Sequence, residues 1–282
     1  MNVTPKMAPN KPLAVLVDGQ PMFPAAMDWP LDRGLHYGDG LFETMMARGG
    51  VIRFVSLHRA RLAAGCARLR INLALEPLWK QASALAQQHG NAVLKLLVTR
   101  GPMTQRGYGI SGDEPGRWLL FAYPAPDSGQ PSDVSVVTLQ ARLGENAALA
   151  GIKHCNRLEQ VLARMELGTK AFEGLMGSSS DLLISGTMSN VFLDTDVGLV
   201  TPSLQLCGIA GVTRAVVLRE AAAMGIPVQV ANVPMAALDD CRGVFLTNVR
   251  MGVLPVARHN GRELATGDHA RALATRVASL EN

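Results

Sequence analysis

The chain has 282 residues, of which 48% are hydrophobic and 18% are charged, and its formal net charge at pH 7 is +4. This length allows two domains that each bury a core. The chain has no run of eighteen apolar residues, so we expect no membrane span. It also lacks a leader in which basic residues are followed by an apolar stretch and small residues, so we expect no signal peptide and a cytoplasmic location. The Lys and Arg residues are scattered among few aromatic residues, so we expect no nucleic-acid binding, although a basic enzyme can favour an anionic substrate.

The four cysteines are widely spaced and form no CxxC pair; they are Cys66, Cys155, Cys207 and Cys241. A disulfide framework or a zinc site needs closer and more regular spacing. We therefore expect reduced, mostly buried thiols and no metal site.

The N-terminal part begins with predicted strands. Residues 13–18 form a short apolar run, and residues 42–48 and 51–55, joined by Gly49-Gly50, read as a hairpin. Ser56 is the predicted N-cap of a helix in which Leu62, Cys66 and Leu69 recur at helical spacing.

A domain boundary is predicted near the middle of the chain. A helix over residues 78–88 and strands over 92–99 and 118–123 precede it. Residues 124–131 hold three prolines and one glycine, which suits an extended linker. The predicted domains are therefore residues 1–123 and 132–282.

The second half again mixes strands and helices. Its predicted elements are a strand at 134–139, a helix at 157–168, two short strands within 182–200, helices at 212–224 and 268–280, and strands near Val228 and Val244. Because βαβ units do not alternate regularly, the fold class is α+β in both domains.

Lys153 lies in the segment AGIKHCNRLEQVLAR, on a polar break before a predicted helix. The segment resembles the K-H-x-N-R-L-E-Q-V motif of the aminodeoxychorismate lyases, which are fold-type IV enzymes dependent on pyridoxal 5'-phosphate (PLP). The resemblance implies that Lys153 holds PLP and is catalytic, since the chemistry needs an exchangeable amine that can also carry a proton. Arg157 stands where fold-type IV aminotransferases tend to carry a tyrosine beside the cofactor ring.

Three further segments resemble the phosphate-binding parts of this family. In CGIAGVTRAVVLREA, the Val212 and Thr213 amides at a helix start suit a phosphate, and the segment is similar to the family's G-[IV]-T-R turn. Arg61 matches the arginine of the H-x-x-R-L pattern, and a guanidinium can bind phosphate through two donors. Asn248 and Val249 lie in a shorter match, residues 246–250.

The substrate side is implied by two other matches. Residues 33–44, RGLHYGDGLFET, resemble R-G-x-x-[YF]-G-D-G-x-[FY]-E-T, whose later residues, including Phe42, edge the family's substrate pocket. Residues 99–108 resemble a substrate-side loop in which Arg106 and Tyr108 meet a carboxylate. Cationic partners suit a dicarboxylate substrate.

Ser185 departs from the family pattern. In ISGTMSNVF it stands where the E-G-T-x-S-N-x-F motif carries the glutamate that pairs with the pyridine nitrogen. A carboxylate keeps that nitrogen protonated and the ring a strong electron sink, whereas a serine hydroxyl supplies no charge. We hypothesise that an elimination driven by aromatisation tolerates the weaker sink better than transamination does.

The resemblance runs from about Arg33 to Pro255. It implies a smaller N-terminal α/β domain, a larger barrel-like C-terminal domain like that of D-amino-acid aminotransferase, and a homodimer. The implied activity converts 4-amino-4-deoxychorismate to 4-aminobenzoate and pyruvate for folate synthesis. A branched-chain or D-amino-acid aminotransferase is the nearest alternative, and a non-catalytic PLP-binding or nucleic-acid-binding protein is a remote one.

Overall fold

A computed structural model describes residues 12–21, 31–125, 131 and 133–280, which form two compact units. Among the described residues, the N-terminal unit contains 12–125 and 152–156, and the C-terminal unit contains 131–151 and 157–280. Most of the predicted linker, residues 126–130, lies outside the described residues. The predicted domain 132–282 differs from the C-terminal unit because residues 152–156 pack with the N-terminal unit.

The N-terminal unit is built on a six-stranded antiparallel sheet with strand order β2-β1-β6-β5-β3-β4. Its strands are β1 (Ala14–Val17), β2 (Gln20–Pro21), β3 (Gly40–Arg48), β4 (Val51–Ile52), β5 (Ala92–Thr99) and β6 (Arg117–Pro124). Its helices are α1 (Arg33–Tyr37), α2 (Val55–Leu69) and α3 (Leu75–His89). Strand β5 alternates buried and half-buried residues, so one face of the sheet supplies the core of this unit.

The predicted hairpin and helix start need correction. Only two residues of β4 pair with β3, and residues 53–55 turn into α2 instead of continuing the strand. The N-cap is Phe54, not Ser56, and it makes no side-chain capping bond. Phe54 is buried and its ring packs under the guanidinium of the preceding Arg53, so the burial of this aromatic residue overrides the capping preference of serine.

The C-terminal unit contains two mixed sheets. Its strands are β7 (Ser135–Leu143), β8 (Glu173–Ser178), β9 (Leu182–Gly186), β10 (Asn190–Thr195), β11 (Gly198–Pro202), β12 (Val228–Ala231), β13 (Val233–Pro234), β14 (Gly243–Asn248), β15 (Gly252–Val256), β16 (Arg258–His259) and β17 (Arg262–Glu263). One sheet has the order β12-β11-β10-β14-β15 and the other β13-β9-β8-β7-β16-β17. Buried residues of both sheets form one apolar cluster that includes Leu175, Leu193 and Leu246, so the core lies between them.

Three of the four described helices of this unit were predicted to within one residue at each end, and the shortest was not predicted. The four helices are α4 (Leu158–Leu167), α5 (Val212–Ala223), α6 (Ala237–Asp240) and α7 (Asp268–Ser279). Residues 182–200 were expected to form two strands, but β9, β10 and the start of β11 occupy this range. No helix among the described residues is long and apolar enough to span a membrane.

Candidate active site

Lys153 is held against strand β3 of the N-terminal unit, which lies between β5 and β4. The Phe42 N–H donates to the Lys153 carbonyl at 2.9 Å, and the Cys155 N–H donates to the Gly40 carbonyl at 2.9 Å. The Lys153 Nζ lies 4.1 Å from the centroid of the Phe42 ring. The backbone bonds fix where the lysine leaves the chain, and the ring contact orients its amine.

Arg61 lies in a buried charged cluster with Glu43 and His58. The guanidinium donates through Nε to Glu43 Oε1 at 2.7 Å and through Nη2 to Glu43 Oε2. His58 Nδ1 lies 2.7 Å from the same Oε2 atom. One carboxylate on β3 therefore orients both the histidine and the arginine of the H-x-x-R-L segment on α2.

The protonation states of this cluster follow from burial and charge. Burial alone would raise the pKa of Glu43, but the hydrogen bonds and charges of His58 and Arg61 outweigh it and lower that pKa. Burial lowers the pKa of His58, and the positive charges of Arg61 and Lys153 lower it further. Glu43 raises this pKa, but by less than the other effects lower it. The cluster thus holds an ionised Glu43 beside a neutral His58.

The predicted substrate loop lies on the same unit. Arg106 and Tyr108 are exposed, and the Tyr108 ring meets the Tyr37 ring edge-on with centroids 5.2 Å apart. The Arg33 guanidinium donates to the carbonyls of residues 107–109. The loop is therefore anchored through its backbone and presents its side chains outward.

In the C-terminal unit, the start of α5 lies beside the paired ends of two strands. Asn190 on β10 pairs with Thr247 on β14, and its Nδ2 donates to the Ile209 carbonyl at 2.9 Å. A Cβ atom on Gly211, the N-cap of α5, would lie 2.0 Å from Asn190 Oδ1. Only glycine allows this close approach, which brings the α5 amides to the strand ends.

Two buried hydroxyl groups, one on α5 and one on β14, could each donate a hydrogen bond to a bound ligand. Thr213 Oγ1 and Thr247 Oγ1 are buried and have no hydrogen-bond partner among the described residues. Buried hydroxyl groups are nearly always paired in folded proteins. With the first-turn amides of α5, which lack intrahelical partners, they fit the phosphate group of PLP.

Three other predicted cofactor contacts make bonds that serve the local structure or occupy positions near a turn or a helix start. They are Asn248, Val249 and Arg157. Asn248 Oδ1 accepts from the Arg250 and Met251 N–H groups, and its Nδ2 donates to the Met188 carbonyl at 3.2 Å, so this side chain shapes the turn after β14. Val249 is half-buried in that turn. Arg157 is the N-cap of α4. Their contacts with a cofactor stay predictions.

Ser185 adjoins a turn whose side chains are hydrogen-bonded to the Glu173 carboxylate. Ser185 is buried near the end of β9. The adjoining turn is held by Glu173, which accepts from Thr187 Oγ1 at 2.5 Å and from Ser189 Oγ at 3.2 Å. Glu173 Oε1 also lies 3.6 Å from Arg164 Nη1, so the Glu173 charge is already paired, and Ser185 contributes a small neutral side chain.

Four residues of this region had no predicted role: Glu43, His58, Glu173 and Thr247. Glu43 and His58 were inside the two motifs quoted for Phe42 and Arg61, so the signal was present. Glu173 could not be found in this way, because it lies on β8 and reaches the 187–189 turn only through sheet pairing.

The family of the chain is established by comparison with known proteins. Residues 40–259 match the family model described as amino-transferase class IV, which is more than half of the chain. The chain belongs to the class IV aminotransferase family. The predicted two-domain α+β fold of these enzymes is confirmed, with the mixed sheets of the C-terminal unit as its barrel-like part.

Relatives within the class IV family include lyases and aminotransferases. The chain is 34% identical to the aminodeoxychorismate lyase of Vibrio harveyi, over 80% of this chain and 85% of that protein. A crystal structure of 4-amino-4-deoxychorismate lyase from Pseudomonas aeruginosa superposes with a TM-score of 0.87 at 39% identity, covering 93% of this chain and 97% of that one. The D-alanine aminotransferase of Bacillus licheniformis is 26% identical, with 84% of each chain covered.

Proposed function

We propose that the protein is a PLP-dependent lyase that converts 4-amino-4-deoxychorismate to 4-aminobenzoate and pyruvate. The observation that carries the proposal is Lys153. It sits in the lyase-type K-H-x-N-R-L-E-Q-V segment, and backbone bonds to β3 hold it with its amine over Phe42. The similarity to aminodeoxychorismate lyases at 34% and 39% identity supports the same reading.

Residues from several of the motifs would hold PLP. Lys153 supplies the amine that binds the cofactor, and Arg61, oriented by Glu43, supplies a cation for the phosphate. The Val212 and Thr213 amides and the Thr213 hydroxyl supply neutral donors for the same group. Arg157, Ser185, Asn248 and Val249 are the remaining proposed cofactor contacts.

The chemistry needs one base and one acid, and Lys153 serves as both. When bound, PLP supplies an electron sink for the pair released at the amine-bearing carbon. Lys153 Nζ removes the proton from that carbon, the bond from the ring to the enolpyruvyl oxygen breaks, and the ring becomes aromatic. Lys153 Nζ then returns its proton to the methylene carbon of the departing enolate, which gives pyruvate.

Arg106 and Tyr108 are proposed to bind a carboxylate of the substrate. Both side chains are exposed on a loop whose backbone is anchored, so their donors are available without reorganisation of the chain. Phe42 lies at the Lys153 amine and would limit the space around it. A dicarboxylate with an unsaturated ring suits cationic and aromatic partners together.

An aminotransferase of the same family is the second candidate, because D-alanine aminotransferases are also similar to this chain. Ser185 favours the lyase, since it removes the charge that supports the pyridine nitrogen in transamination. We further propose a cytoplasmic homodimer that serves folate synthesis. Four free cysteines are consistent with a reducing compartment.

Parallel assays separate the two candidates. The purified PLP-loaded protein is given 4-amino-4-deoxychorismate, and separately D-alanine or a branched-chain amino acid with 2-oxoglutarate. We expect 4-aminobenzoate from the first mixture and little glutamate from the others. Rapid glutamate formation without 4-aminobenzoate would replace the lyase by an aminotransferase.

A further inference from the structure

A cluster of charged side chains centred on Asp39 lies in the N-terminal unit and has no role in the chemistry above. Arg33 donates through Nε to Asp39 Oδ2 at 2.8 Å. Arg100 donates through Nε to the same oxygen at 2.8 Å and through Nη2 to Oδ1 at 3.0 Å. Both arginines are buried, with 4% and 5% of their surface exposed. One carboxylate cannot satisfy two buried guanidinium groups, so the remaining N–H groups need other acceptors.

The two arginines find those acceptors in different segments. Arg100 donates to the carbonyls of Leu69 and Arg70 at the end of α2, at 2.7 and 2.8 Å. Arg33 donates from Nη1 to the Gly109 carbonyl at 3.1 Å and the Gly107 carbonyl at 3.4 Å, and from Nη2 to the Tyr108 carbonyl at 3.1 Å. Of the two, Arg33 alone holds the loop that carries Arg106 and Tyr108.

This anchoring sets where the loop side chains point. Three consecutive carbonyls face one guanidinium, and Gly107 allows the turn with φ of +87°. With the carbonyls inward, the Tyr108 side chain is 84% exposed. Its ring is braced by Tyr37, whose own ring lies 5.1 Å from the Arg33 guanidinium carbon. Arg33 therefore supports both the backbone and the aromatic ring of the loop.

We propose that Arg33 is a positioning residue for substrate binding, which with Asp39 holds residues 107–109 so that Arg106 and Tyr108 meet a substrate carboxylate. This inference rests on the proposed function of the loop. Donors that are ordered before binding spare the complex the entropy of ordering the loop. A lysine cannot replace Arg33, because a single ammonium cannot reach Asp39 and three carbonyls in the planar arrangement of a guanidinium.

Arg33→Lys tests the proposal, with Arg100→Lys as a matched control. Both changes remove a buried guanidinium from Asp39, but only the first releases the loop. We expect Arg33→Lys to raise the KM for 4-amino-4-deoxychorismate by about tenfold or more while kcat changes by less than about threefold. Arg100→Lys, compared at equal folded fraction, leaves KM within about twofold of the parent value.

A second readout does not depend on activity. Trypsin cleaves after Arg106, and an anchored loop resists cleavage. We expect the peptide ending at Arg106 to appear at least about fivefold faster in Arg33→Lys than in Arg100→Lys, followed by mass spectrometry under native conditions. If the parent protein has no lyase activity, the proposed function fails, while this comparison still tests the anchoring by Arg33.

Gly107→Ala covers the case in which Arg33→Lys does not fold. An added Cβ meets no atom within 4 Å, so the change strains only the positive-φ turn of the loop. It should raise both KM and the rate of cleavage after Arg106. Unchanged KM in every folded loop variant, or an equal rise in Arg33→Lys and Arg100→Lys, would overturn the proposal.

Discussion

Glu43 is the residue on which the N-terminal part of the site depends most. Its carboxylate is the partner of both Arg61 and His58, and its side chain is 1% exposed. We expect Glu43→Gln to lower the free energy of unfolding by about 3 kcal/mol, because removing one partner of a buried pair leaves the other charge uncompensated. Urea denaturation of the two proteins measures the difference.

The exposed pair of Glu76 and Arg59 provides the control for that change. Their side chains are 78% and 44% exposed, so Glu76→Gln should cost no more than about 1 kcal/mol. Equal effects of the two substitutions would mean that Glu43 does not hold Arg61 by charge.

Ser185 tests the chemistry at a position where the chain departs from the E-G-T-x-S-N-x-F motif of its family. Ser185→Glu should change the absorption spectrum of the bound PLP and raise the proportion of transamination to lyase turnover, since a carboxylate supports a protonated pyridine nitrogen. Ser185→Ala keeps the position uncharged and should leave both readouts near those of the parent. An unchanged spectrum and ratio in Ser185→Glu would contradict the hypothesis.

The start of α5 is the element that the phosphate proposal depends on. Thr213 Oγ1 is buried without a partner among the described residues. Thr213→Val should therefore leave the stability of the PLP-free protein unchanged or raise it by up to about 1 kcal/mol. The same change should weaken PLP binding about tenfold through the loss of one donor to a charged group, measured by fluorescence titration.

Thr138 offers the comparison for α5, because its hydroxyl on β7 lies 2.8 Å from His259 Nε2. Thr138→Val should cost about 1 kcal/mol of stability without changing PLP affinity. If Thr213→Val destabilises the PLP-free protein and leaves PLP affinity unchanged, Thr213 is a structural residue only.

Elements with strong local signals were predictable, and those that depend on distant contacts were not. Helix α5 spans Val212–Ala223 against a predicted 212–224, because a glycine turn and a helix-forming run mark it locally. No helix was predicted where α1 lies, at Arg33–Tyr37. This helix has five residues and depends on the Asp32 cap and on the Arg33 contacts with residues 107–109, which local sequence does not show.

The candidate site follows the same rule. Motif residues on one short segment, such as Lys153 or Thr213, could be named from the sequence because their chemistry and spacing are local. The Glu43 contacts with His58 and Arg61 join β3 to α2 and needed the fold. The Arg33 contacts likewise join residues more than seventy positions apart in the chain.

The folded molecule as a whole should lose stability as the pH falls through about 6.5. Burial lowers the pKa of His58 and of His259, so the unfolded chain binds protons in this range that the folded chain does not. We expect the urea midpoint to fall between pH 7 and pH 5. The contribution of Glu43, whose pKa is lowered, is lost only below about pH 4.5, so the two windows are distinct.

His58→Gln is the check on that pH dependence. It removes one of the two buried imidazoles, so the slope of the midpoint against pH should become smaller while the histidine at 259 preserves part of it. A midpoint that stays constant from pH 7 to pH 5 in the parent protein would show that neither histidine is held neutral by burial.

We propose that this protein releases 4-aminobenzoate and pyruvate by proton transfer at Lys153. The decisive measurement is the yield of both products from 4-amino-4-deoxychorismate, with the PLP-loaded parent protein and with Lys153→Ala. Equal amounts of the two products from the parent, and none above background from Lys153→Ala, are the predicted result. No product from a parent protein that visibly binds PLP, or undiminished product from Lys153→Ala, would contradict the account.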